Sequence, residues 1–91
     1  MTTSRKLLVL GRYDHTEAMR VAAGLTIFGH TVRLVLMTGP VAETPENAIQ
    51  AETLELADIQ PETTIKDQGL PYLNSAALAQ AISEATAVIS L

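Results

Sequence analysis

The residues best suited to chemistry lie in one short segment that follows an apolar run. Residues 7–10 are aliphatic, and residues 11–16 read Gly-Arg-Tyr-Asp-His-Thr. Arg12 carries a forked cation, and His15 and Thr16 stand where a helix is predicted to begin, so free backbone N–H groups there favour an anion. The segment predicts a small-anion or small-ligand site formed by Gly11, Arg12, Tyr13, His15 and Thr16.

A structural role for the same segment is an open alternative. Asp14 brings a carboxylate to the predicted helix start and can cap it in place of a bound anion. His15 with Asp14 or Glu17 could form an acid–base pair, but a solvent-exposed loop histidine fits the sequence equally. The chain has neither a Gly-x-Gly-x-x-Gly segment nor a Walker sequence, so no phosphate-binding motif decides between these alternatives.

Two further loops are expected at the same edge of the protein. Ligands of open parallel sheets bind beyond the carboxyl ends of the strands. Residues 38–41 and 67–72 follow predicted strands and are expected to converge on the first loop. Gly39, Gln68 and Gly69 are therefore added to the candidate ligand-binding residues.

No metal site, cofactor or catalytic residue is predicted. The chain has no cysteine, which excludes disulfides, thiolate metal sites and a cysteine nucleophile within these residues. Two histidines, His15 and His30, are too few for a metal site of their own. The glutamates between residues 43 and 55 lack the spacing of a calcium-binding loop.

Apolar runs and capping residues place these loops on a repeating strand–helix pattern. Strands are predicted at residues 6–10, 31–37, 62–66 and 87–91, with helices between them. One helix between successive strands implies parallel strands and right-handed crossovers. We predict a single α/β domain over residues 1–91, a three-layer sandwich with a short parallel sheet of about four strands in the order β-α-β-α-β-α-β.

Helix boundaries and faces follow from the same pattern. Asp14 or Thr16 is predicted to cap the first helix, Thr44 the second and Asn74 or Ser75 the third. In the first helix, the residues expected to face the sheet are Ala18, Val21, Ala22, Leu25 and Phe28. The second and third helices have apolar stripes formed by Ala48, Ile49, Thr53 and Leu56, and by Leu78, Ala81, Ile82 and Ala85.

The first helix is apolar on more than one side. Met19, Ala23 and Ile27 widen its apolar surface beyond the stripe of roughly 100° that one buried face requires. A chain of 91 residues with three aromatic residues forms a small core. Small domains gain stability by association. We therefore expect a homo-oligomer whose interface includes Met19, Ala23 and Ile27, with coverage by the chain's own loops as the alternative.

Charge and hydropathy bear on the other partners. The net charge is −4, and it divides into +3 over residues 1–33 and −7 over residues 34–91. An acidic balance without a basic aromatic surface disfavours nucleic acid. The sequence offers neither an apolar run long enough for a bilayer span nor a signal peptide at its start, so we expect no membrane partner and a cytoplasmic location.

Three segments carry a family resemblance: residues 7–28, the Phe-Gly-His-Thr-Val-Arg-Leu-Val-Leu-Met run of residues 28–37, and the Gln-Gly-Leu of residues 68–70. Together they resemble the DsrE/DsrF/DsrH-like family. The resemblance implies a parallel α/β sandwich, oligomerisation and, in several members, sulfur relay through a persulfidated cysteine. In many members that thiol lies after the third strand, near residues 66–68 here. Methionine thioethers cannot form a persulfide, which requires a thiolate.

Two functional hypotheses remain open. The first is a noncatalytic DsrE-like accessory or binding subunit, active beside a sulfur-carrier protein that supplies the thiol. The second is a small-anion or small-ligand-binding protein, with an enzyme as one form of it, that uses the loop after the first strand. A pocket into which Arg12 and His15 both point would favour the second hypothesis.

Overall fold

The fold is an α/β sandwich with a four-stranded parallel sheet, as predicted. A computed structural model describes residues 5–91, so residues 1–4 of the predicted domain lie outside the described part. The elements in chain order are β1 (Lys6–Gly11), α1 (His15–Ile27), β2 (Thr31–Leu36), α2 (Pro45–Leu56), β3 (Glu62–Thr63), α3 (Ser75–Glu84) and β4 (Ala87–Ser90). The strand order across the sheet is β3-β2-β1-β4.

The strand order determines which face each helix covers. The chain steps from β1 to β2 to β3 in one direction and then crosses back to the far side of β1. Right-handed crossovers consequently place α1 and α2 on one face and α3 on the other. The two buried clusters agree, since Val9 and Leu34 pack with residues of α1 and α2, whereas Leu8 and Val35 pack with Ala81 of α3.

Strand β1 forms the centre of this arrangement. It pairs with β2 from Lys6 to Gly11 and with β4 from Leu7 to Leu10, in parallel register on both sides. Residues 7–11 are all buried. A continuous aliphatic run is therefore correct for this strand, because both of its faces lie under helices.

The capping predictions are confirmed. Asp14 accepts a hydrogen bond from the Glu17 N–H at 3.0 Å, and Thr44 accepts one from the Asn47 N–H at 3.1 Å. Asn74 likewise caps α3. These short side chains satisfy backbone donors that a helix start leaves free. Thr16 and Ser75, the alternatives, lie inside their helices.

Strand β3 is shorter than predicted because its own threonine turns the chain. The prediction covered residues 62–66, but the strand ends at Thr63. The Thr63 hydroxyl accepts a hydrogen bond from the Ile65 N–H at 3.0 Å, and such side-chain-to-backbone bonds favour turns. The chain then loops back, and Tyr72 bridges Thr63 in place of a longer strand.

The predicted helix faces are partly wrong. Met19 and Ala23 are only 2% and 3% exposed and belong to the chain's own core, which corrects their assignment to an oligomer interface. Phe28 was expected against the sheet but is 73% exposed, because it lies past the end of α1. Ile27, the third interface candidate, is exposed. Helix α2 packs beside α1 and covers the side that carries Met19 and Ala23.

The second helix departs most from its pattern. Its buried residues are Asn47 and Leu54, whereas Ile49 and Leu56 of the predicted stripe are exposed. The stripe of α3 is closer to the prediction: Ala81 is buried, and Leu78 and Ala85 pack against the core. Ile82 of that stripe is exposed.

A pair of glycine substitutions tests how closely α1 approaches the sheet. A Cβ atom at Gly11 would lie 2.9 Å from Leu36 Cδ2 and 3.1 Å from Ala18 Cβ, whereas one at Gly24 meets nothing within 4 Å. We expect Gly11→Ala to lower the free energy of unfolding by about 1–3 kcal/mol through overpacking. Gly24→Ala, inside α1, should raise it by about 0.5–1 kcal/mol.

Urea unfolding of both variants beside the unaltered protein measures the two changes. Both substitutions add one methyl group, so crowding accounts for the loss expected at Gly11, whereas the gain expected at Gly24 comes from helix propensity. A Gly11→Ala protein as stable as the unaltered one would contradict the described packing.

Candidate functional site

The loop after β1 lies where the sheet topology favours a ligand. The direction of the crossovers reverses between β1 and β4, and open α/β sheets bind ligands at such a point, beyond the carboxyl ends of the strands. Residues 12–14 occupy this position between β1 and α1. The loop therefore lies where the sequence predicted a site. It can bind a ligand only if its polar groups are free.

The backbone donors of this loop are already engaged. The Leu91 backbone oxygen accepts hydrogen bonds from the N–H groups of Arg12 and Tyr13 at 2.8 Å and from that of Asp14 at 3.3 Å. The Asp14 side chain accepts a hydrogen bond from the Glu17 N–H. The Asp14 backbone carbonyl accepts one from the Ala18 N–H. An anion bound by these N–H groups would have to displace oxygens of the protein itself.

The side chains of His15 and Thr16 also bind within the fold. His15 Nε2 lies 2.7 Å from the Met37 carbonyl oxygen, so it tethers the start of α1 to the end of β2. The Thr16 hydroxyl donates to Asn47 Oδ1. Both side chains are partly buried, and both join neighbouring elements instead of pointing into a cavity.

The acid–base pair considered for His15 is not formed. Glu17 binds Arg20 through two hydrogen bonds, the longer at 2.9 Å from Arg20 Nε, and these lower the pKa of the Glu17 carboxyl below its usual value. Asp14 serves as the helix cap. His15 faces a carbonyl oxygen, which positions the ring but supplies no carboxylate partner.

Arg12 and Tyr13 are the exposed part of the loop. The Arg12 guanidinium carbon lies 5.2 Å from the centre of the Tyr13 ring, within the range of a cation–π interaction, and Tyr13 is 80% exposed. Lys66 stands in the same relation to Tyr72, at 5.7 Å, in the loop after β3. Two cation–tyrosine pairs therefore lie at the carboxyl edge of the sheet.

Gly39 and Gln68 lie at a separate cavity. It has a volume of about 290 Å³ and is lined by Leu36, Gly39, Pro40, Val41, Glu43, Thr63, Gln68 and Leu70. The cavity lies at the carboxyl ends of β2 and β3, where the loop before α2 meets the loop after β3. Gly69, with φ of +71°, makes the turn next to Gln68 and is not among the lining residues.

Asn47 is the residue at this edge that the sequence prediction missed. Its Oδ1 accepts from Thr16, and its Nδ2 donates to the Ala42 carbonyl oxygen at 2.8 Å, so one buried amide joins α1, α2 and the loop before α2. The signal was its position seven residues before Leu54, which places both residues on one side of the helix. Because Asn47 is polar, this side of the helix does not show the apolar spacing that predicts a buried face.

A second cavity and the ion pair between Arg33 and Glu62 lie at the opposite end of the sheet. Arg33 donates to Glu62 through Nε at 2.6 Å and through Nη2 at 3.0 Å. These hydrogen bonds raise the pKa of the Arg33 guanidinium above its ordinary value, although partial burial opposes the shift. The pair fastens the two-residue β3 to β2, and Arg33 also lines a cavity of about 170 Å³ with Lys6 and Glu84.

Among residues 5–91 no three histidine, cysteine or acidic side chains lie close enough to hold a metal ion. Within that range no helix combines the length and the apolarity that crossing a bilayer requires. No family model, curated protein or solved structure matches the chain, so the DsrE-like resemblance stays a prediction.

A substitution at Thr16 tests whether this part of the edge is structural. Thr16→Val keeps the shape of the side chain but leaves Asn47 Oδ1, in a residue that is 7% exposed, without its donor. We expect a loss of about 1–3 kcal/mol in the free energy of unfolding.

Thr53→Val is the matched control, measured by the same urea titration. The Thr53 hydroxyl donates to the Ile49 carbonyl oxygen within its own helix, so its removal strands no buried acceptor. Its effect should stay within about 0.5 kcal/mol. Equal losses for the two variants would show that the contact between α1 and α2 carries little energy.

Proposed function

We propose that this chain is a noncatalytic binding subunit of the DsrE-like kind, which works in an oligomer or beside a thiol-bearing sulfur carrier in the cytoplasm. The observation that carries the proposal is the internal use of the reactive groups: His15, Thr16 and Asp14 all hold elements of the fold together. Side chains engaged in this way are poorly placed to take or release protons for a substrate.

The amino-acid composition supports the same proposal. Sulfur relay needs a thiolate, and these 91 residues contain none. The two cation–tyrosine pairs at the carboxyl edge, Arg12 with Tyr13 and Lys66 with Tyr72, supply exposed groups that suit an interface. Tyrosine and arginine are both enriched where proteins bind one another.

Sulfur loading followed by mass spectrometry tests the accessory role. The protein is isolated from its source cell, exposed to polysulfide and measured both intact under native conditions and as separated chains. We expect an assembly in which a cysteine-containing partner gains sulfur that dithiothreitol removes, while the mass of this chain is unchanged.

Two results would contradict the accessory role. A covalent gain of sulfur by this chain would refute its noncatalytic role, and a strictly monomeric protein without any partner would refute the role of subunit.

The cavity between the loops after β2 and β3 favours a second candidate, the binding of a small ligand. Its volume of about 290 Å³ is near the lower end of ligand pockets, and its lining combines Leu36, Val41 and Leu70 with the polar groups of Glu43 and Gln68. An acidic residue and the lack of lysine or arginine in the lining make it unsuited to the small anion first considered at Arg12.

Two substitutions separate this cavity from the loop after β1. A side chain at Gly39 meets nothing within 4 Å of its Cβ, so Gly39→Phe can narrow the cavity without backbone strain. For a small molecule retained by the purified protein, native mass spectrometry should show its loss in Gly39→Phe and its retention in Arg12→Ala. The reverse result would return the binding site to Arg12 and its neighbours.

A further inference from the structure

The outer side of α2 exposes aliphatic side chains that a surface helix usually buries. Ile49 is 60% exposed and Leu56 is 85% exposed. They are seven residues apart, which is close to two helical turns, so they lie along one line of the helix. The buried residues Asn47 and Leu54 are on the opposite side. The apolar stripe of α2 therefore points away from the protein's own core.

Acidic side chains flank this stripe. Glu46 and Glu52 each lie three residues from Ile49, one toward each end of the helix, and are roughly 60° around the axis on either side of it. Glu55 precedes Leu56 in the sequence and lies about 100° around the axis from it. All three glutamates are exposed. No lysine or arginine occurs in α2. We call the residues Glu46, Ile49, Glu52, Glu55 and Leu56 the α2 outer face.

The rest of the described chain leaves this face uncompensated. The ion pairs found over residues 5–91 are Arg20 with Glu17 and Arg33 with Glu62, and neither involves α2. Helix α1 packs beside α2, while α3 lies on the other side of the sheet. The α2 outer face thus combines exposed apolar surface with negative charge that no basic side chain of α2 offsets.

We propose that the α2 outer face is a docking site for a cationic amphipathic helix of a partner protein. The aliphatic row of such a helix would cover Ile49 and Leu56, while its flanking lysines or arginines would meet Glu46, Glu52 and Glu55. The arrangement is that of coiled coils, in which an apolar seam is flanked by charges that select the partner.

The negative charge of the face distinguishes a basic protein helix from anionic partners such as nucleic acids and membranes. Nucleic acids and anionic membranes attract lysine and arginine, so the glutamates of α2 would repel both. A basic protein helix satisfies the apolar and the charged parts of the surface together. The proposal is independent of the accessory role, because the α2 outer face lies on the side of the helix opposite its buried residues and requires no sulfur chemistry.

A synthetic peptide serves as the probe. It is an amphipathic helix of leucine and lysine of about 18 residues, long enough to form in isolation, and its counterpart carries glutamate in place of lysine. We expect the lysine peptide to bind the protein in a calorimetric titration, with an affinity that falls as salt rises, and the glutamate peptide not to bind.

Variants of the protein locate the binding. Ile49→Ala and Leu56→Ala should each weaken binding of the lysine peptide by about tenfold, since buried apolar anchors carry most of the energy of an interface. The matched control is Ile27→Ala, which removes an isoleucine that is 80% exposed on α1. It should leave the affinity unchanged. The double variant Glu52→Gln, Glu55→Gln should weaken binding and reduce its dependence on salt.

Several results would overturn the proposal. They are equal binding of the two peptides, no binding of either, a loss in Ile27→Ala as large as that in Leu56→Ala, and backbone amide shifts centred away from α2 when the peptide is added. Urea unfolding of each variant checks that the substitutions, all at exposed positions, leave the fold intact. If an alanine variant loses stability, the charge variants and the amide shifts decide the outcome.

Discussion

The burial of β1 on both faces is the constraint on which the rest of the structure depends. Residues 7–10 are aliphatic throughout and cannot remain in solvent on either side, so helices must cover both faces of the sheet. The chain meets this demand by placing β4 on the far side of β1, which brings α3 to the face opposite α1 and α2. Gly11 then lets α1 begin close above Leu36.

The same constraint explains why the edge near β1 is occupied by the protein itself. Reversal of the crossovers at β1 opens a position that other α/β proteins use for ligands. Here the backbone oxygen of Leu91, held beside β1 by the β1–β4 pairing, accepts the N–H groups of the first loop. His15 and Thr16 bind the neighbouring elements. Cavities farther from β1 are thus better placed to hold a small ligand than the backbone of this loop.

Local signals in the sequence predicted the elements and their starts well. Strand positions follow from aliphatic runs, and the caps at Asp14, Thr44 and Asn74 follow from a hydrogen bond between near neighbours in the chain. Such interactions need no knowledge of distant residues. The location of a candidate site at the carboxyl edge follows in the same way, because parallel strands align their ends.

Helix faces and site chemistry could not be predicted in this way, because both depend on contacts between elements distant in sequence. Met19 and Ala23 are apolar and fit either a core or an interface, and only the position of α2 beside α1 places them in the core. The engagement of His15 depends on a carbonyl oxygen 22 residues later.

Helix α2 shows how these contacts connect the fold to binding. It contributes to the core one aliphatic side chain, Leu54, and one amide, Asn47, whereas α1 contributes four buried residues. An element with so little buried apolar surface is weakly held, because burial supplies most of its stability. Covering Ile49 and Leu56 with a partner would add apolar burial to this weakly held helix. Binding there would therefore stabilise α2 together with Asn47, whose hydrogen bonds hold α1 and the loop before α2 in place.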